Sequence, residues 1–328
     1  MKNLFRTGWI VLLVGAVLTA VGVAKNGVKS VEFNGVKPVV ARKAKKVTRN
    51  YELKGAKTLV LALDRKLDGT GSDYSSVVNV EIRRGNVLSA KYSGSDDLAP
   101  VIRHEGDEIK VYAGRKSGHY RKARFDFDGI NVSVDWASHL VITVPQDLKL
   151  ERIESGEMAG NLTLDGVKVK SLKLHTGSDV SMRNVEADTT DVDNSGDVRI
   201  DSSRLGCGMI KADDSDVTLA DSEVRGIGFE LTDGDFSTSN SLLEKSTIKT
   251  DDGDITASNA VIRGRCQFTS ADGDIDVTNA KADGFVSTTS DGDNLLHEKK
   301  GEATTLQENE NAENVLVLMN HDGDNSIR

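Results

Sequence analysis

Apolar and polar residues alternate in short bursts through the second half of the chain. Val180 and Met182, Val198 and Ile200, Val217 and Leu219, Ile255 and Ala257, and Ile275 and Val277 each flank one polar residue. A period of two is the signature of a strand with one face in a core. A second apolar set, Ile210, Phe229, Ile248 and Phe268, lies just upstream of these pairs. Each unit therefore supplies at least two short strands. No 3.6-residue stripe survives beyond one turn, so the pattern predicts no helix here.

The bursts recur at a fixed interval. Asp179, Asp197, Asp216, Asp235, Asp254, Asp274 and Asp293, each immediately before a burst, are separated by 18, 19, 19, 19, 20 and 19 residues. Asn161 extends the series backwards by 18, and Asp324 follows after a gap of 31. Such a period marks a solenoid, and it is too short for a propeller blade or a leucine-rich repeat with its helix. The reading is all-β: a parallel β-solenoid, β-helix-like, with coils of about 19 residues stacked ~4.8 Å apart. Five corners carry Asp-Gly-Asp, at 233–235, 252–254, 272–274, 291–293 and 322–324. Glycine there is expected to supply a positive φ, and aspartate to cap neighbouring backbone N–H groups.

Residues 47–150 have the same strand chemistry without the period, in stretches such as "SVVNVEIRRGNVLSAKYS" and "SHLVITVP". They are expected to form an irregular β section capping the N-terminal end of the solenoid at 151–328, because an open coil end exposes strand edges. Within 298–314 the polar, Asn-rich sequence predicts an exposed loop inserted before a last strand and corner. Upstream, Trp9–Ala24 is an unbroken apolar run behind Lys2 and Arg6. Residues 1–25 thus read as a transmembrane signal-anchor helix and 26–46 as a basic stem, with the C-terminal domain extracellular. The basic residues after the span pull the other way, under the positive-inside rule.

Charge sharpens this picture. Residues 1–50 carry a net +9, residues 51–150 a net +1 and residues 151–328 a net −19. Nucleic acid is excluded as a partner of the acidic half, since phosphate binding needs the opposite sign. The chain has two cysteines, Cys207 and Cys266, three coils apart and beyond disulfide reach. The histidines at 104, 119, 139, 175, 297 and 321 form no motif, and no phosphate loop, dinucleotide fingerprint or nucleophile elbow is present.

The corner carboxylates are the candidate chemistry. A catalytic acid–base pair needs two carboxyls with separated pKa values, and identical corners repeated in every coil do not readily supply that difference. The reading is a non-enzymatic protein without a cofactor. Stacked carboxylates repel, and a hard divalent cation such as calcium would relieve that repulsion. The candidate ligands for weak cation binding are Asp233, Asp235, Asp252, Asp254, Asp272, Asp274, Asp291 and Asp293.

Units of the form "LKLHTGSDVSM", "VDNSGDVRI", "IKADDSDVTL" and "IKTDDGDITA", behind the lead-in "LVITVPQDLKLERIESG", carry a further signal. Over about residues 47–328 the chain resembles the bacterial putative-adhesin β-strand-repeat family, a domain of unknown function. The resemblance implies a membrane-anchored or envelope-associated protein without catalytic residues, some members belonging to the envelope stress response. The expected function is a cell-envelope interaction module, held in the membrane by its N-terminal helix and binding a cationic peptide, a wall polymer or an envelope protein through the acidic solenoid. The alternative is a membrane-anchored regulator or sensor of envelope stress.

Overall fold

The computed structural model describes residues 31–34, 37–40, 46–53, 55–65, 77–114, 125–127, 130–132 and 138–328. The expected membrane helix at 1–25 lies outside these residues. Among the described residues, no helix is long and apolar enough to cross a membrane.

The chain divides into two units. The smaller contains two antiparallel hairpins, Val31–Asn34 with Lys37–Val40 and Phe125–Phe127 with Ile130–Val132. Among its described residues the larger is all-β apart from one 3-10 turn at Asp96–Leu98, and is built from two long sheets of 14 and 17 strands, rich in parallel pairs and consistent with a solenoid.

The 14-stranded sheet is assembled from the alternating bursts. Leu162–Asp165, Val180–Arg183, Val198–Asp201, Val217–Ala220, Phe236–Ser239, Ile255–Ser258 and Ile275–Thr278 pair in parallel, each with the next. Their first and third residues are buried because period-two side chains point alternately inward and outward. The 17-stranded sheet takes the rest of each coil. Lys149–Ser155, Lys168–Thr176 and Glu186–Asn194 are single long strands, but in the next four coils each is split in two, as in Arg204–Leu205 and Gly208–Ala212. The split falls where Gly226, Lys245 and Gly264 take positive φ of 62°, 50° and 64°. Each of these four coils thus has three strands, one more than the minimum read from the sequence.

A second corner follows each of those seven strands of the 14-stranded sheet and Asp293–Leu296. Gly166, Asn184, Ser202, Asp221, Asn240, Asn259, Asn279 and His297 all take positive φ there. Gly, Asn and Asp tolerate this region best, which accounts for most of the choices. Behind this corner, buried Ser203, Ser222 and Ser241 form an internal ladder. Ser222 Oγ accepts the N–H of Ser203 at 3.0 Å and Ser241 Oγ that of Ser222 at 3.1 Å. Each hydroxyl donates to the carbonyl two residues before it in sequence. These hydroxyls satisfy backbone groups that the bend removes from the ladders.

Antiparallel strands close both ends of both sheets. At one end Lys46–Glu52 pairs with Ser89–Ser95, and Val101–Glu105 with Glu108–Tyr112. At the other, Lys299–Glu302 pairs with Asp293–Leu296, and Thr305–Glu308 with Gly284–Thr289. The stretch 298–314, expected to be an exposed loop, therefore contains two strands. They are short and charged, as terminal strands that must resist further pairing tend to be.

The segment expected to close the stack does not lie at its end. Val315–Asn320 pairs in parallel with Arg265–Ser270 on one side and Gly284–Thr289 on the other. Asn325–Ile327 likewise lies between Ile275–Thr278 and Asp293–Leu296. The final coil in sequence is the penultimate coil in space.

Near the N-terminal end, Tyr92 is fully buried and donates to the Ser95 carbonyl at 2.6 Å, with the Ser138 hydroxyl 3.0 Å from the phenol oxygen. Burial pushes its phenol up to about 12. The unfolded chain releases this proton near pH ~10, whereas the folded chain holds it. Stability is therefore full below pH ~10 and falls between there and the folded-state value, because the unfolded state binds fewer protons. Urea unfolding at about pH 9 and pH 11 should show this loss, and Tyr92→Phe should make it smaller.

Candidate functional site

The corner preceding each strand of the 14-stranded sheet is built from three components. The first is a buried polar side chain. Thr250 Oγ1 accepts the N–H of Gly253 at 3.1 Å and donates to the carbonyl of Gly234, one coil below, at 3.1 Å. Ser270 repeats this with Gly273 and Gly253, and Asn320 with Gly323 and Gly273. Each clamps its own turn to the turn beneath.

The second component is the central glycine, whose role differs from that expected. Gly292 takes the expected positive φ, at 145°, but Gly196, Gly234, Gly253, Gly273 and Gly323 do not. They are required because successive turns stack with backbone against backbone. A Cβ on Gly253 would fall well inside contact distance of the Gly234 carbonyl, one on Gly273 would meet Gly253, and one on Gly323 would meet Gly273. Where serine replaces glycine, at Ser215, the preceding Asp214 takes the left-handed conformation instead, with φ 53°.

The third component is the pair of acids, which separate into two rows. The acid after the glycine caps the next coil, as the sequence suggested. Asp216 Oδ1 accepts the N–H of Asp235 at 2.9 Å, Asp235 that of Asp254 at 2.9 Å, and Asp254 that of Asp274 at 2.8 Å. The ladder then passes through the interposed segment: Asp274 Oδ1 accepts from Asp324 at 2.9 Å, and Asp324 from Asp293 at 2.7 Å. Four of the eight candidate cation ligands, Asp235, Asp254, Asp274 and Asp293, belong to this structural row.

The acid before the glycine forms an outer row: Asp233, Asp252, Asp272, Asp322 and Asp291 in spatial order, all exposed. His321 pairs with Asp322 at 2.6 Å and Lys249 with neighbouring Asp251 at 2.7 Å. Among the described residues, no ion pair reaches Asp233, Asp252, Asp272 or Asp291. The Asp233 carboxyl is held above its usual range, first by partial loss of solvent and then by the negative charges of Asp214, Asp252 and Asp213. Away from this ridge, charge is neutralised between coils, by Lys168–Glu186, Lys170–Glu151, Arg204–Glu223 and Lys211–Glu230. The corner is thus a line of carboxylates of which four have no ion pair among the described residues. Among the described residues, no three His, Cys, Asp or Glu side chains are grouped to hold a metal ion.

The two cysteines are unpaired, Cys207 exposed and Cys266 buried. Burial pushes the Cys266 thiol up, away from reactivity. His175 and His297 lie beside Asp193 and Glu308, each at 3.1 Å, on the surface.

No curated protein sequence matches the chain significantly. Three solved structures are similar to it over most of both chains. One is a putative adhesin from Parabacteroides merdae ATCC 43184, with 8% identity, covering 87% of this chain and 97% of that chain, at a TM-score of 0.42. Another is a putative lipid binding protein from Parabacteroides distasonis ATCC 8503, with 10% identity, 86% and 97% coverage and a TM-score of 0.39. The third is a putative adhesin from Bacteroides fragilis NCTC 9343, with 12% identity, 87% and 97% coverage and a TM-score of 0.38. The corner repeats and most strands of the parallel-rich sheets fall within residues 74–328, which match the Toastrack DUF4097 family, and the chain belongs to that family.

Proposed function

We propose that the protein is a non-enzymatic interaction module of the cell envelope, which binds a cationic partner along its acidic corner ridge. A cationic peptide is the partner class the ridge fits best: a line of closely spaced like charges is complementary in sign to a chain of basic residues. The observation that carries the reading is the outer row of Asp233, Asp252, Asp272 and Asp291, without ion-pair partners among the described residues, beside faces that carry ion pairs between coils. An anchor at residues 1–25 would hold this ridge at the membrane surface, with the domain outside the cell.

The test is titration of the protein with a fluorescent oligolysine peptide over a range of salt. Binding should weaken steeply between about 0.05 and 0.5 M salt, as surface electrostatics are screened. The variant Asp233→Asn/Asp252→Asn/Asp272→Asn/Asp291→Asn should lose at least about tenfold in affinity, or ~1.4 kcal/mol. Binding that ignores salt, or that survives in the variant, would remove the ridge as the site.

A further inference from the structure

The interposed segment raises the question of what else could occupy its place. Two parts of the chain carry the features needed to stack on the coil at 265–281. Residues 284–297 stand in the 19-residue register to it: Phe285 follows Cys266, Thr289 follows Ser270, Asp293 follows Asp274 and Leu296 follows Val277 at that interval. Residues 315–328 carry the same set, with Leu316, Asn320, Asp324 and Ile327 at the matching positions. In the fold the second segment takes the seat. Asn320, not Thr289, bonds the Gly273 carbonyl at 2.8 Å, and Asp324, not Asp293, donates its N–H to Asp274. Thr289 bonds Gly323 instead, at 3.0 Å.

The seat is therefore generic. Its recognition consists of backbone ladders, a corner carbonyl and a carboxylate, with apolar side chains beneath. Residues synthesised first tend to fold first, so coil 284–297 can occupy the seat before 315–328 is made. The later segment then has to open that stack to enter. While the seat is open, nothing in it distinguishes residues 315–328 of the same chain from those of another copy. The segment is tethered by Asn309–Asn314, "NENAEN", which can extend by roughly 3.3–3.6 Å per residue. Exchange of an identical element costs little because every contact is reproduced.

We propose that residues 315–328 are an exchangeable strand, and that the seat between coils 265–281 and 284–297 accepts this segment from a second copy of the chain, giving strand-exchanged oligomers. The partner is fixed by chemistry: parallel strand addition on two sides, with a corner Asn three residues before glycine and an Asp directly after it.

The test uses full-length chains carrying Cys207→Ser, which leaves only buried Cys266. Thr269 and Met319 are register partners on the outer face, and Met319 is 44% exposed. Chains with Thr269→Cys and chains with Met319→Cys, carrying different tags, are co-expressed and treated with a short bis-maleimide. Exchange predicts a crosslinked heterodimer, several-fold more abundant than in a control in which exposed Val87→Cys replaces Thr269→Cys. A heterodimer no more abundant than the control would overturn the proposal. A single chain carrying both Thr269→Cys and Met319→Cys should crosslink internally in its monomer fraction. If it does not, the segment is not in the seat and the proposal fails at its base.

Discussion

Replacing Gly253 by alanine is expected to destabilise the larger unit severely. The new Cβ would be driven into the Gly234 carbonyl and also crowd Thr250 Oγ1, which clamps the two turns together. Neither obstacle is the end of a flexible side chain. Relief requires adjacent coils to separate, which breaks ladder hydrogen bonds on both sides of the corner. The cost should reach or exceed the upper end of the ~1–3 kcal/mol typical of overpacking. Gly106→Ala is the internal control. Gly106 has φ 66° and open space where an added methyl would sit, so only the left-handed backbone penalty of ~1–2 kcal/mol applies. Urea unfolding of both variants checks the ordering. Equal losses would mean that conformational freedom, not close stacking, explains the corner glycines.

Phe229→Ala should have an effect of similar or larger size by the opposite route. Phe229 and Phe236 are fully buried and meet edge-to-face, with ring centroids 5.0 Å apart. Removing a buried phenylalanine costs ~3–5 kcal/mol, because a cavity remains where the ring was. Each coil contacts only its neighbours, so the loss falls on one point of a one-dimensional stack. The denaturation curve of Phe229→Ala should therefore broaden or divide as well as shift, as coils on either side uncouple. Fluorescence or circular dichroism during urea titration would show this. A single transition, shifted by under about 1 kcal/mol, would mean that the coils repack around the gap.

The sequence made the repeat visible because the same corner chemistry recurs at nearly constant spacing. Asp179 to Asp293 could be aligned by eye, and the alternation after each acid placed one sheet with its buried face. The role of the corner glycine was harder to read. Positive φ and close backbone approach both demand glycine, and only the stacked turns of Gly234, Gly253 and Gly273 distinguish them. The third strand was hidden because its boundary at Gly226, Lys245 and Gly264 is conformational and changes no hydrophobic period. The second corner, at Asn184, Asn240 and Asn259, repeats at the same period but was masked by the more conspicuous aspartates.

The candidate site was legible only as a set of residues. Alternating acids in one turn point to different neighbours, so the division into a capping row and an exposed row depends on coil stacking. The seat of residues 315–328 could not be read at all. Residues 284–297 and 315–328 both have the composition of a coil, and their spatial order is decided by contacts that no local pattern records.

That interposed segment also determines how the stack would carry load. A pull applied at Arg328 reaches a strand held between two others, not the outermost coil. Two ladders must yield together, after which on the order of 45 Å of slack is released from fourteen residues. The coils left on either side have the register to meet and reseal. Under tension this end of the molecule would behave as a mechanical fuse, lengthening once while the rest of the stack stays folded.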